Sequence, residues 1–98
     1  MNLNVSIDND GFLSNPSDWS EIIAREMAAD DGFDINDEHL RLIHEARAMY
    51  ERDGVVPPLR RFCKDLGVTK DALYGLFLTG PMKLICKYGG LPKPTGCT

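Results

Sequence analysis

Apolar and polar residues alternate from Leu3 to Ile7, pause over Asp8-Asn9-Asp10-Gly11 and resume at Phe12-Leu13. A two-residue rhythm broken by turn-forming residues predicts a short β-hairpin over 1–14. Such a hairpin is too small to stand alone and must lie against helices. After Asn15 the rhythm lengthens to that of a helix. Pro16 suits a helix start and Ser17 a cap, followed by the stripe Trp19, Ile22, Ile23, Met27, with Ala24 on its edge, stopped by Asp30-Asp31-Gly32. A longer helix is expected from the cap Asn36 to Asp53, closed by Gly54, with Leu40, Ile43, Ala46, Met49 and Tyr50 at helical spacing. Val55-Val56-Pro57-Pro58 is a stiff connector.

Two short helices are expected over about 58–66 and 70–78, broken at Gly67, with Thr69 capping the second. Gly80-Pro81 opens a last helix through Met82, Leu84, Ile85 and Tyr88, and Gly89-Gly90 stops it. The remaining residues have no period. The pattern predicts a mainly α fold with a small N-terminal β-hairpin (α+β): an orthogonal helical bundle containing a helix-turn-helix-like pair and an extended C-terminal arm. It reads as one domain over 1–98, with a hairpin (1–14), a helical core (17–88) and a mobile arm (89–98).

Composition narrows the setting. The chain is 43% hydrophobic and 27% charged, with a net charge of −4. The charge is divided: residues 1–57 hold four Arg against thirteen acidic residues, a net −9, while residues 58–98 hold seven cations and two acids, a net +5. The second half offers a positive field to anions or acidic partners, but the whole is too acidic for a general nucleic-acid binder. No apolar run approaches the roughly 18 residues that span a bilayer, and residues 1–15 lack the order of a secretion signal. A cytoplasmic protein without membrane insertion is expected. Its three cysteines, an odd number, argue for reduced or cycling thiols rather than a disulfide scaffold.

Cys97 is the second-last residue, an odd place for a structural thiol, since termini are mobile unless tied down. Gly89-Gly90 permits swinging at the base of the arm, and Pro92 and Pro94 stiffen its middle. Eleven residues upstream, Cys86 lies on the last helix, so the two thiols can form a disulfide or hold an extra sulfur between them. Reactivity follows the thiolate, which Lys83, Lys87 and Lys93 are placed to favour. Cys86 alone also fits a core position, and Cys63, on the apolar side of its helix, reads as core.

The stretch Gly89-Gly90-Leu91-Pro92-Lys93-Pro94-Thr95-Gly96-Cys97-Thr98, with Cys86 upstream, resembles the C-terminal signature of the DsrC/TusE family. That family comprises the gamma-subunit-like proteins of dissimilatory sulfite reductase and their tRNA-thiolation relatives. Gly11-Phe12-Leu13, Trp19, His39, Arg60, Lys64, Leu73-Tyr74, Leu76-Phe77, Gly80-Pro81 and Lys83 extend the resemblance nearly end to end. It implies a sulfur carrier, with Cys97 bearing sulfur and Cys86 resolving it. Arg60, Lys64 and Lys83 would cradle the anionic sulfur and the arm. The implied partners are the alpha and beta subunits of dissimilatory sulfite reductase, a membrane-bound electron-transfer complex that reduces the product, and other sulfurtransferases. No cofactor or metal is implied in this chain, and the protein would serve as a co-substrate rather than an independent catalyst. Cys86 favours the DsrC type over the TusE type, which relays sulfur in tRNA thiolation with the penultimate cysteine alone. Three positions depart from the family: Leu78 where Pro is usual, Gly89 for Ala, and Thr98 for an apolar end.

A different class of function is also legible. Residues 57–77, with Gly67 at the turn and Lys70 and Tyr74 on the second helix, are similar to a DNA-binding helix-turn-helix, though few basic groups would face a duplex. His39 and His44, five residues apart without a cysteine at ligand spacing, make a poor zinc site. No phosphate loop or nucleophile elbow is present.

Overall fold

The computed structural model describes residues 5–78 and 80–94. Within them lie a 3-10 turn, Pro16–Asp18, and five helices: α1 (Glu21–Asp30), α2 (Asp37–Asp53), α3 (Leu59–Leu66), α4 (Lys70–Phe77) and α5 (Pro81–Tyr88). Helix α5 is the hub. It packs on α1, α2 and α4, while α3 packs on α4. Its inward residues Pro81, Met82, Ile85, Cys86 and Tyr88 are all buried. Each large apolar side chain removed from water contributes about 1.5–3 kcal/mol, so this short helix binds the others together.

The N-terminal β-hairpin does not form. Among the described residues there is no strand, only one antiparallel bridge between Ile7 and Leu13. The turn between them is closed by Asp8, whose carboxylate accepts from the amides of Asp10 and Phe12, both at 2.9 Å. Pairing cannot spread beyond Leu13, because Asn15-Pro16 turns the chain at once into the 3-10 segment. Phe12 and Leu13 are nevertheless buried in the helical core. The segment is a plug, not a sheet.

The start of α1 is also displaced. The Asn15 side chain accepts from the amide and hydroxyl of Ser17, holding a single 3-10 turn. Trp19 is extended, and Ser20, not Ser17, caps α1 by accepting from Ile23 N at 3.3 Å. The buried face of α1 is Ala24, Met27 and Ala28. Ile22 precedes Ala24 by two residues, roughly 200° around a helix, so it points outward and is 72% exposed.

Helix α2 has the expected bounds. Asn36 Oδ1 accepts from the amides of Glu38 and His39, and Gly54 closes the helix in the left-handed conformation. His39 completes the cap: its Nδ1 accepts from Asn36 N at 3.0 Å, and its Nε2 donates to the Leu76 carbonyl at 2.7 Å. Buried between Phe33 and Phe77, that ring ties the start of α2 to the end of α4. The α3–α4 pair turns at Gly67, and Thr69 caps α4 through Ala72 N. Leu78 then takes φ 67°, ψ −55°, and is the one non-glycine residue with positive φ among the described residues. Proline, locked near φ −65°, cannot occupy that conformation.

Candidate functional site: the root of the C-terminal arm

A helix leaves its last carbonyls without partners inside the helix. At the end of α5 those of Ile85, Cys86 and Tyr88 find partners. Gly89 N donates to Ile85 O at 2.8 Å, and Leu91 N donates to Cys86 O at 2.9 Å. The second bond is the six-to-one closure of a Schellman end, which needs a left-handed residue just before Leu91. Gly90 supplies it, at φ 65°. The Tyr88 carbonyl accepts from Trp19 Nε1 at 2.7 Å, and the Gly89 carbonyl accepts from Arg47 Nη1 at 2.6 Å.

Arg47 reaches this point from α2. Its second nitrogen donates to Pro16 O at 3.1 Å, and its guanidinium lies 4.4 Å over the Trp19 ring. Burial lowers its pKa, partly opposed by Glu51, yet an arginine stays charged at any ordinary pH. A cation at a helix C-terminus also meets the negative end of the dipole. Three parts of the chain, the Pro16 turn, α2 and the arm root, therefore converge on one side chain.

The Gly-Gly pair thus does something other than provide a free swivel. Gly89, Gly90 and Leu91 are all buried. A Cβ on Gly90 would lie 2.8 Å from Trp19 Cβ, and one on Gly89 would lie 2.5 Å from Ile85 O and 3.0 Å from Ile43 Cγ2. The glycines permit close approach. Beside the root lies a cleft of about 220 Å³ lined by Pro16, Ser17, Arg47, Tyr50, Glu51 and Leu91.

On the other side of α5, Asp31 Oδ2 accepts from Lys87 Nζ at 2.7 Å and from the Tyr88 hydroxyl at 2.9 Å. The Lys87 bond, and then that of Tyr88, hold the Asp31 carboxyl below its ordinary pKa against a burial cost. Burial, followed by Asp31, raises the Tyr88 hydroxyl. Lys87 is therefore engaged with a carboxylate and does not activate the neighbouring thiol. Cys86 is 0% exposed, and burial pushes its pKa up to about 12. The expected thiolate is in this conformation a protonated core thiol.

The remaining site candidates are spread out. Cys97 lies outside the described residues. Lys93 is exposed and faces Asp10 at 3.4 Å. Lys83 is exposed on α5, and Arg60 and Lys64 are exposed on α3. Among the described residues no hydrogen bond or ion pair joins these last three to the arm. Arg60 instead lines a cleft of ≈ 380 Å³ with Pro58, Leu59, Cys63 and Lys70. Cys63 is buried there, and its pKa is raised by burial, with Lys70 opposing. Arg47 and Asp31 were not legible as site residues. The one available signal was Arg47 at the edge of the α2 stripe, four residues after Ile43 and three before Tyr50.

Comparison with known proteins places this geometry. The family model described as "DsrC like protein" matches residues 1–98. A curated relative, the gamma subunit of dissimilatory-type sulfite reductase from Nitratidesulfovibrio vulgaris, is 37% identical over 93% of this chain and 88% of its own length. The sulfurtransferase TusE of Sodalis glossinidius is 36% identical over 95% of this chain and 93% of its own. Among solved structures, the NMR structure of Allochromatium vinosum DsrC superposes with a TM-score of 0.87 at 37% identity, covering 96% of this chain and 90% of that one. The DNA-binding reading of the α3–α4 pair gains no support from any of these similarities.

Proposed function

This chain belongs to the DsrC-like family, and from that premise we propose that it carries sulfur on Cys97 as a co-substrate of dissimilatory sulfite reductase. A relative named as that enzyme's gamma subunit supports the partner. The observation that carries the proposal is the position of Cys86: its backbone carbonyl is bonded to Leu91, so the two thiols lie on either side of the arm root. Six residue steps separate Leu91 from Cys97, a reach of at most roughly 21 Å at about 3.5 Å per residue. That is long enough to enter a partner's active-site channel.

In this mechanism the Cys97 thiolate attacks a sulfur atom that the partner has reduced to the sulfur(II) level, and one sulfur-bound oxygen leaves as water. Cys86 then displaces the remaining oxygen as water, giving a trisulfide across the root, the two thiols having supplied the two electrons. Reduction of the two sulfur–sulfur bonds by a membrane-bound electron-transfer complex releases sulfide and restores both thiols. Because Cys86 is buried and its pKa high, closure requires the root to lift from the core first. Arg60, Lys64, Lys83 and Lys93 supply positive field for the anionic partner surface or the loaded sulfur. Among the described residues no helix is long and apolar enough to cross a membrane.

The burial of Cys86 favours a second reading, a single-thiol relay of the TusE kind serving tRNA thiolation, in which Cys86 is only core. Purification of the tagged chain from its native cell at endogenous level, with the bound proteins identified, separates the two. Sulfite reductase subunits are the expected companions. Recovery of tRNA-thiolation enzymes instead, with full sulfur transfer by Cys86→Ala, would establish the relay.

A further inference from the structure

The geometry points to Arg47 as the positioning residue of the arm: with Trp19 it fixes Gly89–Leu91 to the helical body, so that the cargo thiol is presented from a rigid base. The inference rests on Cys97 being the cargo thiol, but concerns a residue that neither donates nor accepts sulfur.

Four observations converge on it. The Arg47 guanidinium spends its two terminal nitrogens on two carbonyls of different segments, Gly89 O at 2.6 Å and Pro16 O at 3.1 Å. Its central carbon lies over Trp19, 4.4 Å from the ring centroid. Trp19 in turn donates to Tyr88 O at 2.7 Å and presses on Gly90, where a Cβ would meet it at 2.8 Å. Finally, Arg47 is not needed to build α2, whose core contacts come from Leu42, Ile43, Ala46 and Met49. A planar fork bonded to two backbone oxygens fixes direction as well as distance, which a lysine cannot do.

A clamp at the base changes what the arm costs to use. A chain free from Gly89 onward must lose the freedom of every residue when it enters a partner; one anchored through Leu91 has already lost part of it. Arg47 therefore acts on encounter and placement, not on the loading chemistry of Cys97.

The test uses the full chain with Arg47→Met, Arg47→Lys and Trp19→Phe. Amide order parameters by ¹⁵N relaxation at Gly90 and Leu91 are expected near the rigid value of about 0.85 in the unmodified protein and below about 0.6 in Arg47→Met, with α2 and α5 unchanged. Emission of Trp19, the single tryptophan, should shift to the red in step. Loading of Cys97 by inorganic polysulfide should be the same in all variants. With sulfite reductase as the sulfur source and Cys86→Ala as the background, so that closure plays no part, KM for loading of Cys97 in Arg47→Met should rise about tenfold, the scale of one lost charge-assisted hydrogen bond, at constant kcat. Arg47→Lys should fall between. If Arg47→Met does not fold, Trp19→Phe, which keeps a ring but loses the indole donor, gives the order-parameter, polysulfide-loading and KM readouts without the emission. Order parameters that stay at the unmodified value overturn the inference, as does a KM that does not move or a fall in polysulfide loading parallel to the rise. If the unmodified protein takes no sulfur from the reductase, the partner is wrong, and the order parameters alone decide the role of Arg47.

Discussion

Helices α4 and α5 are each eight residues long, yet they end in opposite ways. At the end of α5 the turn is made by a glycine, and the carbonyls of Ile85, Cys86, Tyr88 and Gly89 all have partners. At the end of α4 the turn falls on Leu78, a non-glycine residue at φ 67° whose side chain is 74% exposed. Besides the local bond from Leu78 N to Tyr74 O at 2.8 Å, the α4 end is held from a distance, by His39 on the Leu76 carbonyl. The well-made terminus is the one from which the arm departs. Strain is tolerated where only a connection to the next helix is required.

The largest effect should come from removing the distant support. His39→Ala leaves a buried carbonyl and a cap amide unpaired beside a cavity, and should cost about 3 kcal/mol, read as the shift in urea midpoint. Gly90→Ala attacks the other terminus. It places a Cβ against Trp19 in a left-handed conformation, and should cost about 2 kcal/mol, with a changed Trp19 emission that His39→Ala does not share. Leu78→Gly should go the other way. Relief of the positive φ should gain about 1 kcal/mol, raising Tm by about 4–8 °C for a domain of this size. An unchanged or lowered Tm would mean that the α4 end is not strained.

The smallest effect concerns pH. Asp31 titrates below its ordinary value in the folded chain, so its stabilising contribution is present above that value and is lost as pH falls through the folded one. Asp31→Asn should therefore lower Tm at pH 7, and the gap should close as the pH drops below about 3.9, the usual carboxylate value. A gap independent of pH would assign the effect to packing.

These contrasts also explain what the sequence could tell. The bounds of α2, α3 and α4 were legible because their signals are local: Asn36, Gly54, Gly67 and Thr69 act within one turn of where they stand. Nothing local distinguishes Ser17 from Ser20 as the cap of α1; the choice is made by Asn15 capturing Ser17 first. The alternation that predicts a hairpin holds as far as Val5 and Ile7, which pack against the core on either side of exposed Ser6, but pairing stops at the single Ile7–Leu13 bridge before Pro16. The arm root was the hardest to read. Gly89-Gly90 signals freedom in sequence, and only Trp19 and Arg47, 71 and 43 residues earlier than Gly90 in the chain, turn it into close packing. Likewise Lys87 sits beside Cys86 in sequence but bonds to Asp31, 56 residues away.

The central claim is that sulfur travels on Cys97 while Cys86 waits buried. Incubation of the reduced protein with inorganic polysulfide, followed by intact-protein mass spectrometry, tests it most directly. The unmodified chain and Cys86→Ala should each gain sulfur as a persulfide, and Cys97→Ala should gain none. Loading that persists in Cys97→Ala and disappears in Cys86→Ala would contradict the account.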